Sequence, residues 1–104
     1  MSDWHLYIVR TVDDRLYTGI TTDVERRFAE HSSGTSRAAR AIRHRLPLTL
    51  CYHAAIGDRS LALRAEYRVK LLRREQKLDL IKEAPDGPAL LALLDLPASA
   101  TRPS

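Results

Sequence analysis

The 104-residue chain has one cysteine, Cys51, no asparagine, one tryptophan, one phenylalanine and four glycines. A lone thiol excludes an internal disulfide framework and a cysteine-rich zinc site. It fits a reducing compartment, so a cytoplasmic location is expected. Long apolar runs are missing as well. Trp4 to Val9 is too short for the apolar region of a signal peptide, and nothing approaches the roughly 20 apolar residues of a membrane span. No membrane partner is expected. Acidic charge is scarce in the middle of the chain: Arg26, Arg27, Arg37, Arg40, Arg43 and Arg45 are opposed there only by Glu30. The acids Glu75, Asp79, Glu83, Asp86 and Asp95 collect toward the C-terminus. The net charge of +4 alone fits nucleic acid, an anionic surface or plain solubility. The clustering says more, and points to a basic face contributed by the middle of the chain.

What is present reads as one domain, long enough for a single core without staples. "HLYIVR" (His5 to Arg10) is β-branched and aromatic, and "LYTGI" (Leu16 to Ile20) follows a polar turn at Asp13 and Asp14; the pair reads as a hairpin. "TTDVERRFAEHSSG" reads as a helix. Thr22 or Asp23 is its N-cap, Val24, Phe28 and His31 form its stripe, and Gly34 is its stop. "LPLTLCYHA" is a third strand, with Pro47 at its start. "DRSLALRAEYRVKLLRR" is a second helix capped by Asp58 or Ser60, with Ala62, Ala65, Glu66, Val69 and Leu72 on its inner stripe. "REQKLDLIKEA" reads as a third helix with Leu78 and Ile81 inward, and "GPALLALLDL" as a last one. The expected class is α+β, a three-stranded antiparallel sheet flanked by helices in the order β-β-α-β-α-α. Residues 1–83 form the main domain, 84–96 a helical extension and 97–104 a disordered tail.

Five side chains are unusual for an inert core. Tyr7 and Tyr17 lie inside strands, Arg27 and His31 are one helical turn apart, and Glu66 sits on an apolar stripe. Each has a structural explanation: strand tyrosines pack, Arg27 snorkels, and His31 suits a helix C-terminus. A carboxylate beside Ala62 and Val69 must be paired, bound to a metal or placed at the rim. Together they match what phosphodiester hydrolysis needs. A carboxylate holds one Mg²⁺ or Mn²⁺, hard ions that keep several waters. An arginine offers a fixed fork to phosphate oxygens. A tyrosine or histidine positions water and takes its proton.

These residues resemble the GIY-YIG nuclease family. "HLY" (His5 to Tyr7) stands at the first half-motif, with His5 in place of its glycine, and "YTG" (Tyr17 to Gly19) at the second. "TTDVERRFAEH" is similar to the following helix with its arginine and histidine, and "ALRAEYRVK" to the later helix with the metal-binding glutamate. The likeness spans Trp4 to Ile81 and is greatest to the small stand-alone bacterial members. Many members also carry an asparagine after the glutamate helix, which this chain lacks.

The resemblance implies a metal-dependent nuclease with one divalent ion, Mg²⁺ or Mn²⁺. Tyr7, Tyr17, Arg27, His31 and Glu66 would form the catalytic set, with Glu66 holding the metal and Gly19 giving clearance at the site. Tyr7, Tyr17 and His31 all stand as candidates for the base. Tyr7 and Tyr17 must then share a face, which requires an odd-length hairpin loop, Val12 to Asp14, rather than a two-residue turn. Arg37, Arg40, Arg43 and Arg45 are expected to contact the phosphate backbone, giving affinity without sequence specificity. The expected partner is nucleic acid, DNA ahead of RNA, in repair or processing, with no small-molecule cofactor. A homo-oligomer is an open expectation, with Leu90 to Leu96 as its surface. The alternatives are a non-catalytic nucleic-acid-binding module on the same fold and an RNA-directed nuclease.

Overall fold

The computed structural model describes residues 3–33 and 45–97; the expectations for Gly34, Arg37, Arg40, Arg43 and residues 98–104 lie outside these. The chain order is β1 (Trp4–Arg10), β2 (Leu16–Thr21), α1 (Val24–Ser32), β3 (Thr49–Gly57), α2 (Arg59–Leu71), α3 (Arg74–Glu83) and α4 (Gly87–Leu93). The strands form an antiparallel sheet in the order β2-β1-β3, so the first strand is central. This is the expected α+β fold.

A central strand with elements on both faces is covered twice, which explains why Leu6 to Val9 is uniformly apolar rather than alternating. Leu6 and Ile8 enter the main core with Tyr52, Ala54 and Ile56 of β3 and Leu61, Ala62, Ala65 and Val69 of α2. Burying each such large aliphatic side chain contributes roughly 1.5–3 kcal/mol. Tyr7 and Val9 point the other way, into a smaller cluster with Tyr17, Val24, Phe28, Leu48 and Leu50.

The hairpin register settles the parity question. Tyr7 pairs with Gly19 and Val9 with Tyr17, so odd positions face odd positions and the two tyrosines share a face. The loop is the three residues Val12, Asp13 and Asp14, closed by Thr11 N–H to Arg15 O at 2.8 Å and Asp14 N–H to Thr11 O at 2.9 Å. Asp14 takes φ of 66°, the left-handed residue that such three-residue hairpins require and that aspartate tolerates.

Asp23, Asp58 and Asp86 each accept a backbone N–H at the start of α1, α2 and α4. Each cap is worth about 1 kcal/mol. On α3 the inward residues are Leu80 and, in part, Ile81; Leu78 is exposed, contrary to expectation, because the helix turns its Leu80 side to the core. Leu90, Leu91, Leu94 and Leu96 are also buried in the main core, and Leu93 is the one leucine of that run prominently exposed. Most leucines of the run are therefore spent on the fold.

Candidate active site

The site lies on the Tyr7 face of the sheet. Gly19, across from Tyr7, carries no side chain, and the Tyr7 ring occupies that space: a Cβ there would lie 2.4 Å from the hydroxyl and 2.6 Å from Cζ. The expected clearance thus serves the tyrosine ring itself.

α1 follows β2 after a short turn in which Thr21 Oγ1 accepts from Asp23 N–H at 3.1 Å. The helix lays Val24 and Phe28 on the small cluster and sends His31 into full burial, 0% exposed. The Tyr7 hydroxyl and His31 Nε2 are 2.8 Å apart. The Tyr17 ring meets the same imidazole edge-on, with centroids 5.6 Å apart and planes at 74°. Three residues from three elements thereby form one unit, with Tyr7 and His31 buried and Tyr17 partly so.

Electrostatics fix its protonation. Burial, and then the nearby Arg27 cation, push His31 down to about 4, with Glu30 opposing, so the imidazole is neutral near pH 7. Burial, then Tyr17, push Tyr7 up to about 12; hydrogen bonding from Arg27 and its charge act in the opposite direction. The hydroxyl is therefore protonated. In the tautomer that carries its proton on Nδ1, His31 Nε2 accepts the Tyr7 O–H. Arg27 is held by Glu30, Nη1 to Oε1 at 3.0 Å, one turn along α1.

Glu66 comes from α2, the helix packed on the other core. Its carboxylate is 20% exposed and pairs with Lys70 at 3.4 Å. Its negative charge is felt at the Tyr7 hydroxyl, where it adds to the upward shift. Tyr7, Tyr17, Arg27 and His31 are thus gathered by direct interaction, and Glu66 by electrostatic reach. Arg45 is engaged elsewhere, in an ion pair with Asp13 at the hairpin loop. Glu30 and Lys70, which hold Arg27 and Glu66, were not singled out in the sequence, although their i,i+3 and i,i+4 spacings carry the signal.

Among the described residues no group of three or more His, Cys, Asp or Glu side chains could hold a metal ion. The donor set is instead one carboxylate, largely buried and engaged by a single flexible lysine. That suits a hard divalent ion that keeps its waters and completes its shell with substrate phosphate. Among the described residues no helix is long and apolar enough to cross a membrane.

Comparison with known proteins finds relatives over most of the chain. The profile of the GIY-YIG catalytic domain matches residues 3–79. The UPF0213 protein YhbQ of Escherichia coli O8 (strain IAI1) is 54% identical over 97 residues, which are 93% of this chain and 95% of that protein. The protein of the same name from Shigella boydii serotype 18 (strain CDC 3083-94 / BS512) matches to the same extent, 54% over 97 residues. The solution NMR structure of the UPF0213 protein BH0048 from Bacillus halodurans is 38% identical, with a TM-score of 0.50 over 78% of this chain and 84% of that one.

Proposed function

The chain belongs to the GIY-YIG catalytic-domain family, and from that premise we propose that it is a metal-dependent nuclease. Its substrate on this reading is DNA, cut with little sequence specificity during repair or processing. The observation that carries the reading is the Tyr7 hydroxyl, set 2.8 Å from a buried, neutral His31 and beside Arg27.

That arrangement suits proton transfer. A phenol at about 12 is a poor base in the free protein. It becomes a useful one when cationic charge gathers beside it and a neutral imidazole stands behind to receive its proton. Tyr7 is therefore the strongest of the three candidate bases: a water losing its proton to Tyr7 would pass the hydroxyl proton on to His31 Nε2 once the anionic phosphate offsets the Arg27 charge that disfavours the imidazolium. Tyr17, packed edge-on to the imidazole, keeps that ring in line. Arg27 presents its fork to the phosphate, with Glu30 fixing its direction. Glu66 would hold one Mg²⁺ or Mn²⁺, exchanging Lys70 for the ion. Such an ion polarises the phosphoryl oxygen and stabilises the leaving oxygen. Arg37, Arg40 and Arg43 would add phosphate contacts without base readout; Arg45 would first have to leave Asp13.

The test is to incubate wild type and Glu66→Ala with labelled single-stranded, duplex, nicked and branched DNA and RNA, in Mg²⁺, Mn²⁺ or EDTA. Cleavage is expected only with the metal, and Glu66→Ala should lose about a hundredfold or more, the loss that several kcal/mol of charge stabilisation implies. Cleavage that survives in EDTA overturns the mechanism. Salt-sensitive binding with no cleavage by wild type means that the chain is a binding module on this fold.

A further inference from the structure

α2 has an outer side that the fold leaves uncovered. Leu63, Tyr67 and Leu71 recur every four residues and are 39%, 64% and 64% exposed. At 3.6 residues per turn they form one stripe, and Lys70 and Leu63 lie between Glu66 and Tyr67 around the helix. The stripe therefore adjoins the flank that carries Glu66. Leu63 and Tyr67 line a shallow hollow with Arg64 and Arg68. Arg68 is fixed there by donating from Nη1 to Leu94 O at 2.6 Å.

A solvent-facing helix side normally mixes charges of both signs. This one alternates apolar surface with Arg64, Arg68 and Lys70, and the helix's one acid, Glu66, lies at its inner edge, already paired to Lys70. Self-association through the stripe would bring Arg64 and Arg68 of two copies together, with Glu66, the one acid of α2, already paired to Lys70. An anionic partner with flat apolar parts suits it better, and unpaired nucleotides have both features: phosphates for the cations and base faces for an exposed phenol ring.

We infer that Tyr67, flanked by Leu63 and Arg64, is a stacking platform for an unpaired base of the nucleic acid whose phosphate enters the site beside Glu66. The inference rests on the nuclease reading for the identity of the ligand, and it specifies that a stretch of the substrate next to the cut is single-stranded.

The experiment reads binding in EDTA, so it does not depend on cleavage. Fluorescence anisotropy would follow labelled oligothymidylate, oligouridylate and a duplex of equal length binding to wild type, Tyr67→Ala and Tyr67→Phe, alongside ultraviolet cross-linking with 5-iodouracil-substituted strands. Tyr67→Ala should weaken single-strand binding about tenfold or more. Tyr67→Phe and duplex binding should stay within about twofold of wild type. The cross-linked peptide should contain Tyr67, and the thymidylate and uridylate arms tell DNA from RNA. Equal affinity of wild type and Tyr67→Ala for single strands, or cross-links confined to other segments, would overturn the inference. So would a switch from dimer to monomer in Tyr67→Ala by light scattering, or Tyr67-dependent binding to anionic vesicles in place of oligonucleotides. If these binding results hold while wild type cleaves nothing, only the nuclease reading fails.

Discussion

Leu6 and Ile8 leave β1 on one side, and Tyr7 and Val9 on the other. The first pair meets aliphatic side chains from β3, α2 and the α4 region in a continuous core. The second meets α1 and a smaller cluster in which a phenol, an imidazole and a guanidinium interact. Both faces are buried, yet only the second sets a phenol against an imidazole; Tyr52 in the main core donates its hydroxyl to the Pro85 carbonyl instead. The comparison teaches how a small domain separates its stability from its chemistry. The apolar side sets the position of the strand, and the strand then holds Tyr7 in place against a buried histidine.

The largest test of that separation is Leu6→Ala, expected to cost about 2–5 kcal/mol in urea unfolding, set against Tyr7→Phe. Tyr7→Phe removes a hydroxyl and its hydrogen bond to a buried imidazole, a loss of about 1–3 kcal/mol, while cleavage should fall far more than stability. Equal destabilisation by the two, with cleavage tracking the folded fraction, would erase the distinction between the faces.

The pH dependence between about pH 4 and 6.5 comes next, and His31 on the Tyr7 face is its expected source. His31 falls from 6.5 to about 4 on folding. Between those values the unfolded chain binds the proton and the folded chain does not. Stability is thus fully present above about pH 6.5 and declines as pH falls toward 4, by about 3 kcal/mol in all. Urea midpoints across this range, with NMR titration of the ring, check it; His31→Gln should flatten the curve, and an unchanged slope would remove His31 as its source.

Gly19→Ala should have an intermediate effect. Its Cβ would lie 2.4 Å from the Tyr7 hydroxyl, so the ring must shift. The expected cost is about 1–3 kcal/mol, with a loss of turnover exceeding the loss of binding. A crystal structure with the Tyr7–His31 bond intact would show that the clearance is not required. The smallest effect on stability is expected for Lys70→Ala, within about 0.5 kcal/mol because the lysine itself is half-exposed. It sharpens the comparison at Glu66: removing the competing ammonium should lower the Mg²⁺ concentration that half-saturates cleavage, and a raised requirement would instead make Lys70 part of the metal or substrate contact.

Much of this was legible in the residues. The order of strands and helices followed from apolar runs, turn signals and caps, and the α1 pair Arg27 and His31 followed from helical spacing. The odd loop was inferred from what Tyr7 and Tyr17 had to share, and the register bears it out. Leu78 was misplaced because Ile81 lies between Leu78 and Leu80 around the helix, so periodicity alone does not choose which of the two shares its inward side. Apolar density in the Leu90 run does not by itself reveal that four of its leucines cover the core of the same chain and that Leu93 stays outside.

The sequence by itself determined which segments are strands and helices, where helices start, and which residues share a helix face. These depend on neighbours within a few positions, through backbone hydrogen bonding and side-chain period. Tertiary structure decided the rest. The register of β3 on β1 shifts between Ile8 and Val9, so Tyr52 faces the main core while Leu50, two residues earlier, joins the Tyr7 side. No alternation rule shows this, because a bulge reverses parity at a point fixed by pairing. The burial that makes His31 neutral, and the reach of Glu66 from α2 to Tyr7, likewise arise only when α1, α2 and the sheet exclude water together. Desolvation and Coulomb energy depend on what surrounds a group in space, and that is set by the packed fold.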